Sequence, residues 1–143
     1  MRIVLLTTDT RGFGQLSEAL PPPLLPLYDK PFVQHAIESA YENDCRRLVL
    51  ITNDRPDLVQ QTCGNGERYG VSLEIRMGAP DGDETASLLK HRSLLAERCC
   101  VLPGLRWLDA DLKDLESRHA ELGAPVTLLR VAEDNAIAGA FLE

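Results

Sequence analysis

The sequence predicts an α/β fold: a three-layer α/β/α sandwich with a mainly parallel sheet. Two observations point there. Short apolar runs rich in β-branched residues recur along the chain, and segments with apolar residues at helical spacing separate them. A third is the length of 143 residues, which fits a single domain, 1–143, around one hydrophobic core.

The elements follow in order. "RIVLL" (2–6) reads as a buried parallel strand. Residues 7–31 hold Gly12, Gly14 and five prolines, among them the run "PPPLLPLYDKP" (21–31), and predict a long irregular loop. A loop of that length in a compact domain is usually functional or disordered. Val33, Ala36, Ile37, Ala40 and Tyr41 recur at helical spacing and predict a helix near 31–43. "RLVLIT" (47–52) is a second buried strand, and Asp54, Pro56 and Asp57 mark the start of a helix over "PDLVQQTC". "VSLEIRM" (71–77) alternates apolar with polar residues, as a half-exposed edge strand does.

Thr85, Leu88, Leu89, Arg92, Leu95 and Ala96 predict a helix near 83–97, and "CCVLPG" (99–104) a further strand. Leu108, Leu112, Leu115, His119 and Leu122 form the apolar face of a helix over 109–122, with Asp109 and Asp111 at its start and Gly123 past its end. "PVTLLRVA" (125–132) and "GAFLE" (139–143) close the pattern as strands joined by the turn "EDNAIA". The sheet then ends on a strand without a covering helix, so it is either minimal or part of a longer architecture.

Composition excludes several functions. Hydrophobic residues make up 44% and charged residues 26%, an ordinary globular balance. Net charge is −7, from 15 basic and 22 acidic residues, which opposes nucleic-acid binding. No apolar run approaches the roughly 18 residues of a membrane span. The apolar run near Met1 is too short for a signal peptide. Cys45, Cys63, Cys99 and Cys100 lack zinc-ligand spacing, and adjacent Cys99 and Cys100 point to opposite faces of a strand. They read as reduced cysteines of a cytoplasmic protein.

An open parallel sheet binds ligands beyond the C-terminal ends of its strands. Three segments are expected to meet there: the 7–31 loop, "GAPDGDETA" (78–86) and "PGLRWLDAD" (103–111). Each carries glycine or proline and leads into a helix, and helix starts with glycine-rich amides suit phosphate.

The order of these segments resembles the sugar-phosphate nucleotidylyltransferases, most closely the glucose-1-phosphate thymidylyltransferase group. "LLPLYDKPFVQHAI" (24–37) is similar to that group's segment after the nucleotide loop, "GNGERYGVSLEI" (64–75) to its G-D-G-x-x-x-G stretch, and "APDGDETASLL" (79–89) to its S-P-D-G loop and helix. Gly104, Asp111 and Leu112 keep the spacing of its G-D-x-x-x-x-x-D-L stretch, and His119, Gly123, Ala124, Thr127 and Gly139 fit its tail. The resemblance implies a Rossmann-like nucleotide-diphospho-sugar transferase fold. It also implies attack of a sugar phosphate on a nucleoside triphosphate with release of pyrophosphate. Family members are much longer, so the chain is expected to cover the nucleotide-binding part, without much of the sugar pocket or a second metal-binding carboxylate.

Phosphoryl chemistry of this kind needs cations and amide dipoles around the phosphates. The resemblance places them in four features. A G-x-G-T-R loop aligns with "TTDTRGFG" (7–14), where Asp9 stands in place of the first glycine. A carboxylate there repels phosphate and blocks close backbone approach. The signature lysine aligns with Pro22, the base-reading glutamine with Met77, and the magnesium-binding aspartate with Leu105. None of these three carries the required group: proline has no charge and no N–H, methionine has no amide, and leucine has no oxygen for a hard cation.

The residues left as nucleotide-binding candidates are Arg11, Gly12, Gly14, Lys30, Gly82 and Gly104. Some have a plainer reading: Gly12 and Gly14 suit a mobile loop, and Lys30 suits a solvated helix start. Asp109 and Asp111 are either replacement metal ligands or, more naturally, helix caps. His119 is expected to pack in the core, and His35 and His91 have no partner acid nearby in sequence. The Asp81, Asp83 and Glu84 cluster either holds a cation or is a solvated loop. Trp107 either stacks on a base or plugs the site.

Three functions follow. The first is a degenerate nucleotidylyltransferase-like domain that binds a nucleoside triphosphate or nucleotide-sugar without family catalysis, in a regulatory or partner role. The second is an active enzyme, using magnesium and completed by a C-terminal region or a partner chain. The third is an interaction module whose cleft is filled by Phe13, Met77 and Trp107. Homo- or hetero-oligomers remain open.

Overall fold

The structure is a computed structural model and describes residues 1–105, 111–130 and 137–142. Strand β1 (Arg2–Thr7) leads into the predicted loop. That loop carries a four-residue helix α1 (Leu16–Ala19), a 3₁₀ turn over Pro22–Leu24, and a two-stranded ribbon of β2 (Pro26–Leu27) and β3 (Lys30–Pro31). The first three prolines pack inward: Pro21, Pro22 and Pro23 are buried, whereas Pro26 is exposed. Helix α2 (Phe32–Glu42) buries Val33, Ile37 and Ala40, whereas Tyr41, expected on its buried face, is exposed.

Strand β4 (Arg47–Thr52) precedes helix α3 (Pro56–Cys63). Proline occupies the first helical turn as expected, but Asp54 does not cap it. The capping position is Arg55, in a left-handed conformation, and Asp54 pairs with its guanidinium at 2.8 Å. Strand β5 (Ser72–Met77) is the expected edge strand.

The helix predicted over 83–97 is two pieces: α4 (Glu84–Lys90), then a 3₁₀ turn over Arg92–Ala96. The break falls at His91, whose Nε2 lies 2.8 Å from the Met77 carbonyl oxygen. The buried face also differs from the predicted one. Ser87 and Leu94 are buried, while Thr85 and Leu89 are exposed.

Strand β6 (Cys99–Pro103) follows, then helix α5 (Leu112–Leu122), β7 (Val126–Arg130) and β8 (Ile137–Leu142). Asp111 caps α5 by accepting from the N–H groups of Lys113 and Asp114 at 2.9 and 3.1 Å, and Gly123 ends it with φ +57°. Leu122, placed by periodicity on the buried face, is exposed. Asp109, Trp107, Leu108 and most of the predicted 133–138 turn lie outside the described residues; Ile137 and Ala138 already belong to β8.

The six-stranded sheet has the order β5-β4-β1-β6-β8-β7. β5, β4, β1 and β6 are parallel neighbours, and β8 enters antiparallel between β6 and β7. Alternation along the strands divides the core into two layers. Ile3, Leu5, Leu48, Leu50, Cys100 and Phe141 face α2, α3 and Leu112 of α5. Val4, Leu6, Val49, Ile51, Cys99 and Val101 face Leu88, Leu94 and Leu95. The predicted split of Cys99 and Cys100 is thus observed, and all four cysteines are free and buried. His119 packs as expected: it is buried, stacks on Phe141 at 5.8 Å, and its Nδ1 is 2.7 Å from the Thr127 hydroxyl. Among the described residues no helix is long and apolar enough to cross a membrane.

Candidate functional site

A cavity of about 630 Å³ opens beyond the C-terminal ends of β1, β4 and β5. Three segments build it: Thr8, Asp9, Thr10 and Arg11 after β1, Asn53 and Asp54 after β4, and residues 80–85 after β5. The first and third were expected from the sequence. The second was not, because Asp54 read as a helix start.

Backbone anchors hold these walls. Side chains of α4 tie down the chain leaving β5: the Ser87 hydroxyl accepts from the Ala79 N–H at 2.9 Å, and Lys90 Nζ donates to the Gly78 carbonyl at 2.8 Å. Asn53 donates its side-chain amide to the Ala79 carbonyl, joining the β4 end to the β5 end. Gly78 has no room for a side chain, since a Cβ there would lie 2.4 Å from Asn53 Oδ1 and 2.6 Å from Thr8 Cγ2. Outside the lining, Arg55 donates to the carbonyls of Ser17 at 2.6 Å and Ala19 at 3.2 Å, which holds α1 against the end of β4. Thr8 Oγ1 and Asn53 Oδ1 are buried beside the cavity without a hydrogen-bond partner among the described residues.

The charge of the cavity is its main feature. Asp9, Asp54, Asp81, Asp83 and Glu84 line it, against Arg11 as the one basic residue among the described lining. Arg11 Nε donates to Asp9 Oδ1 and its Nη2 to Asp9 Oδ2, both at 2.7 Å. This hydrogen bonding, with added attraction from Asp9, Glu84 and Asp83, holds the guanidinium charged beyond its already high ordinary value. Asp83 is partly occupied as well, capping α4 through the Ala86 N–H at 2.6 Å.

Of the candidates named from sequence, Arg11 and Gly82 line the cavity. Gly12 and Gly14 lie in the adjoining loop with φ of +93° and +49°. Lys30 sits on the ribbon instead, bonded through Nζ to Glu38 of α2 at 2.7 Å. Gly104 is buried at the end of β6, where a Cβ would lie 2.6 Å from Thr7 Cγ2. Phe13 and Met77, suggested as plugs, do not line the cavity, and Met77 is exposed. Pro22, at the signature lysine's place, is buried in its 3₁₀ turn.

At the position where the resemblance places a magnesium ligand, the described residues offer none. Leu105 offers no oxygen at the expected position, and Asp111 is engaged as a helix cap. No group of three or more His, Cys, Asp or Glu among the described residues is arranged to hold a metal ion.

The nucleotidyl transferase family profile matches residues 11–141. The chain belongs to that family. This nucleotidyl transferase family member is 26% identical over 106 residues to the bifunctional protein GlmU of Bacillus cereus strain AH187, and equally to that of strain G9842. Each match covers 74% of the chain, which spans only 23% of the length of these curated relatives. A solved structure of a Bacillus anthracis protein assigned as a glucose-1-phosphate thymidylyltransferase, in complex with a sucrose, superposes with a TM-score of 0.73. That superposition covers 99% of this chain and 70% of the other at 14% identity. At that identity the likeness speaks for the fold, which is the mainly parallel, Rossmann-like one that the sequence predicted.

Proposed function

We propose that residues 1–143 form a single nucleotidyltransferase-like domain that keeps the family's cleft but does not transfer a nucleotidyl group on its own. It binds a nucleotide or nucleotide-sugar weakly and acts in a regulatory role or beside a partner chain. One observation carries this reading: among the described residues five carboxylates line the cleft against a single guanidinium, which Asp9 already holds. Transfer between phosphoryl groups depends on cationic and amide donors placed where negative charge gathers. This cleft supplies the opposite sign.

Among the described residues neither Phe13 nor Met77 lines the cavity, and this favours ligand binding over a purely structural module. The test is a thermal-shift panel of nucleoside triphosphates and nucleotide-sugars, with and without magnesium, followed by a pyrophosphate-release assay on each hit. The expected result is stabilisation by a nucleotide or nucleotide-sugar without pyrophosphate release. Magnesium-dependent turnover by the chain alone refutes the proposal and restores the active-enzyme reading. Absence of any shift favours the interaction module.

A further inference from the structure

We propose that Asp9 is a built-in anion that fills the oxyanion cradle of the first loop and thereby sets the cleft's affinity for phosphoryl ligands. This rests on reading the cleft as a nucleotide site. The cradle consists of the Arg11 N–H, 3.1 Å from Asp9 Oδ1, and the Arg11 guanidinium, with Nε 2.7 Å from Oδ1 and Nη2 2.7 Å from Oδ2. A loop amide beside a forked guanidinium is a donor set that takes two oxygens of a phosphate. Here the chain's own carboxylate, two residues upstream, takes both.

The competition is intramolecular. A group tethered this closely acts at an effective concentration in the millimolar range or above, so a phosphoryl ligand must displace it before gaining either donor. Displacement does not remove the charge, because the tether keeps the carboxylate beside the cradle, where it repels the incoming phosphate. The cradle is otherwise accessible. The Arg11 side chain is 91% exposed, and the next residue, Gly12, has open space where a side chain would stand. The ligand class governed by Asp9 is therefore pyrophosphate and nucleoside di- or triphosphates, not bare nucleosides.

Calorimetric titration with inorganic pyrophosphate tests this on the wild type, Asp9→Asn, Asp9→Glu and the double variant Asp9→Asn/Arg11→Gln. Asp9→Asn keeps the size of the side chain and removes the competing charge, so it is expected to bind pyrophosphate at least tenfold more tightly than wild type. Asp9→Glu keeps the anion and is expected to stay near wild type. Adding Arg11→Gln is expected to abolish the gain. Asp9→Gly repeats the comparison should Asp9→Asn misfold, as judged by its urea midpoint. Equal affinity of wild type and the neutral variants overturns the proposal. So does a gain that survives Arg11→Gln, since the carboxylate then acts by general repulsion and not by filling the cradle. Pyrophosphate release by the wild type bears on the proposed function instead, so the two readings fail separately.

Discussion

Ser87→Ala removes a single oxygen, yet it is expected to loosen the wall of the cleft and lower global stability by about 2 kcal/mol. Ser87 is fully buried. Its hydroxyl accepts from the Ala79 N–H at 2.9 Å and donates to the Asp83 carbonyl at 2.7 Å. The two partners respond differently to its loss. The Asp83 carbonyl still receives the N–H of Ser87 at 3.0 Å, so its cost is small. Ala79, itself buried, loses the acceptor of its N–H. A buried donor left without a partner costs about 1–3 kcal/mol.

With a urea slope of about 2 kcal/mol per molar, the unfolding midpoint falls by about 1 M while the slope is unchanged. Amide exchange at Ala79 is the local readout and is expected to speed up more than exchange in β1 or β4. The neighbouring bonds, Lys90 Nζ to the Gly78 carbonyl and the Asn53 amide to the Ala79 carbonyl, do not involve Ser87 and hold the segment in place. A midpoint within about 0.2 M of wild type, together with unchanged Ala79 exchange, refutes the view that Ser87 anchors this loop.

Three other outcomes follow from the same geometry. Asp111→Ala is expected to cost about 1 kcal/mol in urea unfolding, because two N–H groups at the start of α5 lose their acceptor; any magnesium effect on ligand binding is expected to be unchanged, and a changed one restores Asp111 as a metal ligand. Burial pushes the thiols of Cys45, Cys63, Cys99 and Cys100 up from their ordinary value, so a thiol reagent at neutral pH is expected to label none of them rapidly in the native state and all of them after unfolding in guanidinium. The Glu38 carboxyl is held below its ordinary 4.5 by the hydrogen bond from Gln34 first and by that from Lys30 second. A lowered folded value stabilises the protein above the unfolded one and fades as pH falls through the folded one. Glu38→Gln is therefore expected to cost about 0.5 kcal/mol near pH 7, a figure discounted for solvent screening at this partly exposed pair. Measured by urea unfolding across pH, the gap is expected to close in acid below 4.5.

The fold was legible wherever local pattern and burial agree. β1 and β4 bury nearly every residue from Ile3 to Thr7 and from Leu48 to Thr52, so their β-branched runs announced them. α4 was mis-phased because its innermost residue is Ser87, a polar side chain buried for its hydrogen bonds, which apolar periodicity does not register. Its break at His91 depends on a contact with Met77, fourteen residues away, that no local pattern encodes. The insertion of β8 between β6 and β7 is likewise a matter of long-range pairing, and strand propensity alone does not reveal which neighbour a strand chooses.

The site was legible by comparison with the resembled pattern more than in its construction. Pro22, Met77 and Leu105 could be compared with the resembled pattern one by one, and so could the carboxylate at Asp9. What the pattern did not convey is how the remaining charges are disposed of in space. Arg11 looked like a spare phosphate ligand and Lys30 like another, yet Asp9 holds the first and Glu38 bonds the second on the ribbon. Arg55, unremarked in the sequence, turns out to span the Asp54 carboxylate and the carbonyls of Ser17 and Ala19. Each of these three cations is thus engaged with the chain's own oxygens. Arg11 in the cleft, and Lys30 and Arg55 outside its lining, brace the chain against itself and leave the described walls held from within.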